Sequence, residues 1–318
     1  MKGVGVKLLY NIFMVAKYKH KNITWVDVES PTQEEVRNLM EEYSIDPLVA
    51  DELLLPTLKP RVEEHGNLIY LILHFPAFRH SHQASISQEV DFLIGKNFII
   101  TVRYDTVDPL HKFSKVFEVN SVLDKGDIGE HAGFLFFYMI RKLYKSLEHE
   151  IEYINDALEL IETEIFDEGK SKEMVRALSS IGRDILNLKQ ALWPHRDVLD
   201  SFDDASARFF GDEYHNHAKS IFGEYYRIQN SIRAHSNTLN ELRQTNDSLL
   251  STRQNEIIKT LTIMAFITFP LTLISSVFGM NTQYLPIVGR ENDFWLITGA
   301  MLALTFAFFI FFKRKHWL

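Results

Sequence analysis

Residues 269–281 read FPLTLISSVFGMN, and no Asp, Glu, Lys or Arg occurs between Lys259 and Arg290. The stretch ends on an amide, Asn281, directly after Gly279 and Met280. Taken alone, such an amide reads as a helix-ending polar residue at an interface. Upstream, Asn230, Asn237, Glu241, Gln244, Ser248, Ser251 and Asn255 recur at helical spacing and lead into the window. That stripe is either an ordinary solvated helix face or the lining of a wet vestibule. The pairs His80-x-His82 and His215-x-His217 carry ligand atoms for zinc or cobalt, but the sequence fixes no third ligand, so a loop or solvated-helix role is the more economical one. No phosphate-binding glycine loop, nucleophile elbow or metalloprotease helix occurs, which disfavours an enzyme and any enzymatic cofactor.

These residues need elements to position them. Thr260–Gly279 is about the 20 residues that cross a bilayer as a helix. Phe294–Phe312 is a second uncharged run, with Trp295 and Trp317 at its two ends, where interfacial aromatics belong. Arg253 and Lys259 precede the first span, and Lys313, Arg314 and Lys315 follow the second. The positive-inside tendency places both termini in the cytoplasm and the connecting loop outside, in a multi-pass cell-membrane protein. Two helices cannot enclose a water-filled path. Either several chains surround an axis or the spans merely anchor a cytoplasmic protein.

The remainder is acidic: residues 1–259 carry 30 Lys+Arg against 40 Asp+Glu, within a chain of net charge −8. That balance disfavours nucleic acid as a partner. With no cysteine there is neither a disulfide framework nor a thiolate metal site. The run Leu8–Ala16 reads as a β-strand rather than a signal peptide, because Asn11 interrupts it and Lys17, Lys19 and Lys21 follow. Strands are expected at 23–28 and in NLIYLILHFPAF, EVDFLIG and FIITVRY, with turns at Gly66-Asn67 and Gly95-Lys96-Asn97. Ser30 with Pro31, and Asp46 with Pro47, read as helix starts.

From Phe134 the pattern is helical. Leu143, Leu147, Ile151, Ile154, Leu158, Ile161 and Ile165 form one seam, and Leu178, Ile181, Ile185, Leu188 and Leu192 another, with Gly169 between the two helices of an antiparallel pair. A third helix is expected from near Ala205 to Gly279, about 110 Å long at ~1.5 Å per residue. Its seam is Ile221, Tyr225, Ile228, Ile232, Leu239, Leu242 and Leu249.

In the segment NEIIKTLTIMAFITFPLTLISSVFGMN, Asn255, Lys259, Leu261, Thr262, Pro270, Leu271, Thr272 and the closing Gly279-Met280-Asn281 make the chain resemble the CorA family of divalent-cation transporters, which also contains ZntB-type zinc transporters. FWL at the start of the second span, KRKHWL at the chain's end, and the upstream WVDVESPT, DPL, KPRVEE and PHRDVL are similar too. The resemblance implies an α+β membrane protein: an N-terminal αβα cytoplasmic domain, a long helical stalk and two C-terminal transmembrane helices, assembled as a funnel-shaped homopentamer. The expected divisions are 1–130 for the α/β domain, 131–258 for the stalk, 259–281 for the pore helix, 282–293 for the external loop, 294–312 for the second span and 313–318 for a basic cytoplasmic tail.

Carried over residue by residue, the resemblance makes Gly279, Met280 and Asn281 the selectivity site, with Asn281 meeting the metal through its hydration shell. It makes Asn255, Ile258, Leu261, Ala265, Phe269, Thr272 and Ser276 the pore lining. The family's acidic loop residue has no counterpart at Ile287; Glu291 and Asp293 are the acids available there. The implied function is magnesium transport, with cobalt and nickel as further ions and magnesium as a regulator. A ZntB-type zinc transporter and a non-conducting membrane-anchored cation sensor are the alternatives.

Overall fold

The computed structural model describes residues 15–76, 87–105, 107–122, 129–281, 287–289, 292–315 and 317. By their contacts they form two compact units, which divide between Leu242 and Arg243.

Six strands form one sheet in the first unit: β1 (Val15–His20), β2 (Ile23–Glu29), β3 (Arg61–His65), β4 (Leu68–Pro76), β5 (Ser87–Gly95) and β6 (Phe98–Arg103). Their order is β1-β2-β6-β5-β4-β3. Only β2 and β6 run parallel, with Val26 opposite Ile100; the other neighbours are antiparallel. The central strands are buried on both faces, which explains their near-continuous apolar runs. On one face, Val26, Ile72, Leu93 and Ile100 pack with Val36 and Leu39 of α1 (Gln33–Tyr43) and Val49 and Ala50 of α2 (Pro47–Glu52). On the other, Trp25 meets Phe113 and Phe117 of α3 (Asp108–Val122), and Phe92 meets Phe136 of α4 (Ala132–Glu164). The unit is therefore layered helix–sheet–helix.

Three sequence expectations are corrected here. The cap of α1 is Thr32, not Ser30: Thr32 Oγ1 accepts from Glu35 N, and the Glu35 carboxylate accepts from Thr32 N. Ser30 instead has a φ of 49° and donates its N–H to Arg103 O, so it turns the chain away from β2. Asp46 does cap α2, accepting from Leu48 N at 2.8 Å. Of the run Leu8–Ala16, residues 8–14 lie outside the described residues, and β1 continues past Ala16 to His20, taking in Lys17 and Lys19. Third, the long helix does not start near Ala205. A separate helix, α6 (His195–Phe210), ends at Gly211, whose φ of 92° suits glycine, and α7 then runs unbroken from Asp212 to Phe278. At 67 residues it is about 100 Å long.

The antiparallel pair is α4 with α5 (Ser171–Leu192), joined through a short 3₁₀ turn that contains Gly169. Its seams are buried as their spacing predicts, apart from Ile151, which is half-buried. Along α7 the buried line is Tyr214, Ala218, Ile221, Tyr225, Ile228, Ile232, Leu239 and Leu242. Leu249 is only half-buried, and Asn246 is buried in its stead.

His195 locks α6 to the sheet. It is wholly buried, with Nε2 2.8 Å from the His74 carbonyl and Nδ1 2.8 Å from the Tyr144 hydroxyl. Nε2–H donates to the carbonyl and Nδ1 accepts from the tyrosine. Burial holds the ring neutral, with its pKa lowered to about 4.

A second buried polar group lies beneath α2. Glu89 and Asp91 alternate along β5, so both point to the same face. Glu89 accepts from Thr57 N at 2.7 Å and lies 3.1 Å from His74 Nε2. Asp91 is wholly buried, accepts from the Tyr70 and Tyr104 hydroxyls, and leaves Oδ1 unpartnered. Arg61 spends its charge on Glu52 and Glu63 nearby. Burial first, and the Glu89 charge second, push Asp91 well above the usual carboxylate range. A raised folded pKa contributes stability below it that is lost as pH rises. Stability should therefore fall with rising pH from about 4 toward the folded pKa of Asp91, at a limiting slope of about 1.4 kcal/mol per pH unit. Asp91→Asn should remove that part of the slope, which thermal unfolding of the full chain across the acidic range measures.

Candidate functional site

Two helices make up most of the second unit: the C-terminal part of α7 and α8 (Asp293–Arg314). Both are long and apolar enough to cross a membrane, and their most apolar 18-residue windows are almost entirely uncovered. Phe269 is 72% and Leu273 65% exposed on α7, and Leu302 66% on α8. Side chains of this size facing outward on every side require an apolar medium or further protein.

The least exposed line on this part of α7 is Ile263, Ile267, Pro270, Ile274 and Phe278. Phe266, beside it, contacts Phe312 of α8 at 6.4 Å between ring centroids. At about 100° per residue, the expected pore lining is centred about 160° round the helix from that line. Asn255, Ile258, Leu261, Phe269, Thr272 and Ser276 are all exposed, and Ala265 is half-buried. Within one chain, then, these residues share an arc that is left uncovered. The polar stripe from Asn230 to Asn255 is exposed throughout.

The hydroxyl chemistry is more specific than composition conveys. Thr272 donates its proton to the Thr268 carbonyl at 2.9 Å. Its oxygen therefore turns only lone pairs outward, and lone pairs are what the hydrogens of a cation's water shell need. Thr268 is bonded likewise to Met264 O, and Thr262 to Ile258 O.

Gly279 directly follows the last residue of α7, Phe278. Its φ is not left-handed, and its N–H still bonds the Ser275 carbonyl at 2.9 Å. The constraint is space: a Cβ there would lie 2.9 Å from the Ser275 oxygen. Met280 N reaches back to Val277 O, and Asn281 follows as exposed non-helical chain. In the loop, Ile287 takes a φ of 82°. Asp293 spends one carboxylate oxygen on Gly289 N at 3.0 Å and the other on Phe294 N at 2.6 Å. It thus serves the start of α8, while Glu291 lies outside the described residues.

The histidine pairs do not form a metal centre among the described residues. His215 Nδ1 bonds Asp203 at 2.9 Å, whereas His217 lies among the rings of Phe134, Phe137 and Tyr214. Two residues apart on a helix, they point to different sides. His80 and His82 are outside the described residues.

A family model described as CorA-like Mg2+ transporter protein matches residues 20–314. The chain belongs to that family. CorA-family proteins are transporters rather than enzymes, and this member has their soluble α/β part, long helix and two apolar C-terminal helices. It is 24% identical to the cobalt/magnesium transport protein CorA of Thermotoga maritima, over 93% of this chain and 83% of that protein. Among solved structures, the complete CorA magnesium transporter of Methanocaldococcus jannaschii superposes with a TM-score of 0.79 at 20% identity, covering 95% of this chain and 93% of that one. The ZntB cytoplasmic domain of Vibrio parahaemolyticus gives 0.54 at 16% identity, over 73% of this chain and 89% of its own. That likeness is one of fold.

Sequence reasoning missed one feature of this unit. A cavity of about 510 Å³ lies where the start of the apolar part of α7 meets the chain's end, lined by Asn255, Ile258, Lys259, Thr262, Lys315 and Trp317. The signal was present in the basic residues that flank both spans.

The exposed arc generates a test. Leu261 is 59% exposed and lies about 12 Å below Phe269 along the same arc. If rings of these side chains close the path by expelling water, Leu261→Ser should raise basal ion conductance. Vesicle flux, measured beside oligomer stability, checks this; unchanged flux from a well-assembled variant would remove Leu261 as a gate.

Proposed function

We propose that this protein carries magnesium, and with it cobalt and nickel, across the cell membrane through a homopentameric pore. Five copies of α7 would line the axis, with the membrane-embedded part at 259–281, the second span at 294–312, and both termini in the cytoplasm. The observation that carries this reading is the uncovered arc on α7, which faces away from the line nearest α8 and runs into Gly279-Met280-Asn281. Side chains arranged this way suit a wall shared by several copies, whereas an anchor has no use for a hydroxyl-bearing arc.

Magnesium holds its water tightly and dehydrates reluctantly. A ring of Asn281 amides and Gly279 carbonyls would offer neutral acceptors to the hydrated ion. Such groups attract without trapping, as conduction requires. Thr272 adds acceptors deeper in the span, and Leu261 and Phe269 supply the apolar constrictions. The names of the relatives support magnesium and cobalt as cargo.

Asn281→Ala should lower magnesium uptake into reconstituted vesicles by about tenfold or more, equivalent to about 1.4 kcal/mol, without dissociating the oligomer. Wild-type uptake in that variant would sink the selectivity assignment, and a monomeric protein without flux would favour a cation sensor. Neither Thr260–Gly279 nor Phe294–Phe312 contains an ionisable side chain, so no proton relay crosses the spans. Uptake should therefore persist when the pH gradient alone is dissipated at clamped potential. Its collapse would move the protein toward proton-coupled zinc transport.

A further inference from the structure

We propose that His131 is a proton-operated catch on the joint between α6 and α7: neutral, it holds the joint closed, and protonated, it releases it. The inference does not depend on the transport reading, since every residue in it belongs to the first unit.

The position of the ring proton carries the argument. His131 directly precedes α4 and caps it, with Nδ1 accepting from Gly133 N at 3.2 Å. An acceptor at Nδ1 puts the single ring proton on Nε2, and only a neutral imidazole has that free lone pair. An imidazolium donates from both nitrogens. It would lose the cap and set a cation at the N-terminus of a 33-residue helix, where the helix dipole disfavours positive charge.

The same ring is the contact surface of the joint. It stacks on Phe210, the last residue of α6, at 4.3 Å and 10°, and meets the Tyr214 ring of α7 edge-on at 5.3 Å. The Tyr214 hydroxyl donates to Gly133 O at 2.7 Å. Gly133 thus gives its N–H to His131 and its carbonyl to the first turn of α7. Between Phe210 and Tyr214 the chain passes through Gly211, with its φ of 92°. A ring that turns away from Gly133 also leaves Phe210 and Tyr214, and the glycine between them offers little resistance to a change of angle.

Neighbouring charges set the sense. Burial is the largest influence on His131 and lowers its pKa; Glu130 beside it acts to raise it, and His217 of α7 to lower it. His217 packs against Phe134, Phe137 and Tyr214, with a buried Nδ1 that has no hydrogen-bond partner among the described residues. Other charges around the joint are engaged: His215 with Asp203, Arg208 with Glu64, and the Lys96 ammonium at 5.9 Å from the centroid of the Phe209 ring. Asp212 and Glu213 are exposed. His215 acts in the opposite sense, because a protonated His215 would hold Asp203 through a stronger, charge-assisted bond. A histidine held below its ordinary value of about 6.5 stabilises the closed joint above that pH, and the contribution is lost as pH falls. One proton favours opening by at most about tenfold per pH unit. Since α7 is the helix proposed to line the pore, acidification on the side of the first unit would loosen its root.

Hydrogen exchange of the full-length protein, read by mass spectrometry and corrected for the intrinsic pH dependence of exchange, tests this. Amides within 133–137 and 211–216 should lose about threefold or more in protection between pH 7 and pH 5, relative to those of α5. His131→Asn keeps a capping oxygen at every pH, so its protection, whatever its level, should be flat across that range. Where that variant does not accumulate, His131→Ser gives the same readout with another capping side chain. His217→Gln removes the neighbouring cation and should move the transition toward neutral pH. A smaller loss in the unaltered protein, an equal loss in the capping variants, or an unmoved transition in His217→Gln would overturn the catch. The measurement needs no flux, so a failed transport assay does not touch it.

Discussion

In hydrocarbon a backbone N–H has no water to bond, so each must find a carbonyl within its own segment. The C-terminal part of α7 and the whole of α8 meet that demand as helices, with apolar side chains turned outward almost everywhere. The remaining choices follow from it. Polar atoms that have to appear inside such a segment must first satisfy the backbone or be satisfied by it, as Thr262, Thr268 and Thr272 are. Groups that cannot be satisfied this way are displaced to the ends. The ends therefore carry the chemistry: Asn281 beyond one terminus of the span, Lys259 before the other, and Lys315 after α8.

The first unit is built on the opposite solution. Its polar groups are buried by a sheet covered on both faces, and several of them pair within the domain. Asp27 takes Arg103 at 3.2 Å and the Thr101 hydroxyl at 2.7 Å, and Thr101 in turn accepts from the Trp25 indole at 2.9 Å. Buried ion pairs of this kind add little net stability over apolar packing, but they are costly to break singly. Glu89 and Asp91 differ from these, because two acids share one face, Asp91 Oδ1 has no hydrogen-bond partner, and burial together with the Glu89 charge favours a protonated Asp91.

Much of this was legible in the sequence, unevenly and for physical reasons. The central strands and the α4–α5 seams declare themselves, since burial demands apolar side chains at the period of the element. β3 was invisible because Arg61-Val62-Glu63-Glu64-His65 is an edge strand, where charge is a protection against further pairing rather than a fault. The start of α7 was misplaced because no composition change separates Ala205 from Asp212, and only the backbone at Gly211 breaks the helix there. On the candidate path, the residues were nameable but the direction they face was not. Apolar side chains that meet lipid, another helix or an aqueous constriction look alike in composition, and burial within one chain separates only the least exposed line of α7 from the rest. The cavity at Lys259 joins residues 56 positions apart, beyond the reach of any local pattern.

Pro270 has been only one member of the least exposed line on α7, yet its ring has a mechanical consequence. Proline brings no N–H, so the carbonyl four residues earlier, on Phe266, loses the bond that would stiffen this turn. The helix is thus most compliant next to Phe269, its most exposed aromatic. From Pro270 to Asn281 is an arm of roughly 16 Å at ~1.5 Å per residue, so a bend of about 5° at the proline would swing the amide by about 1.4 Å. In the ring proposed for the pore, that stroke would be comparable with the radius of a water molecule. Flexure at one half-buried proline would change the aperture between the amides of that proposed ring without unwinding a turn or moving a charge through the bilayer.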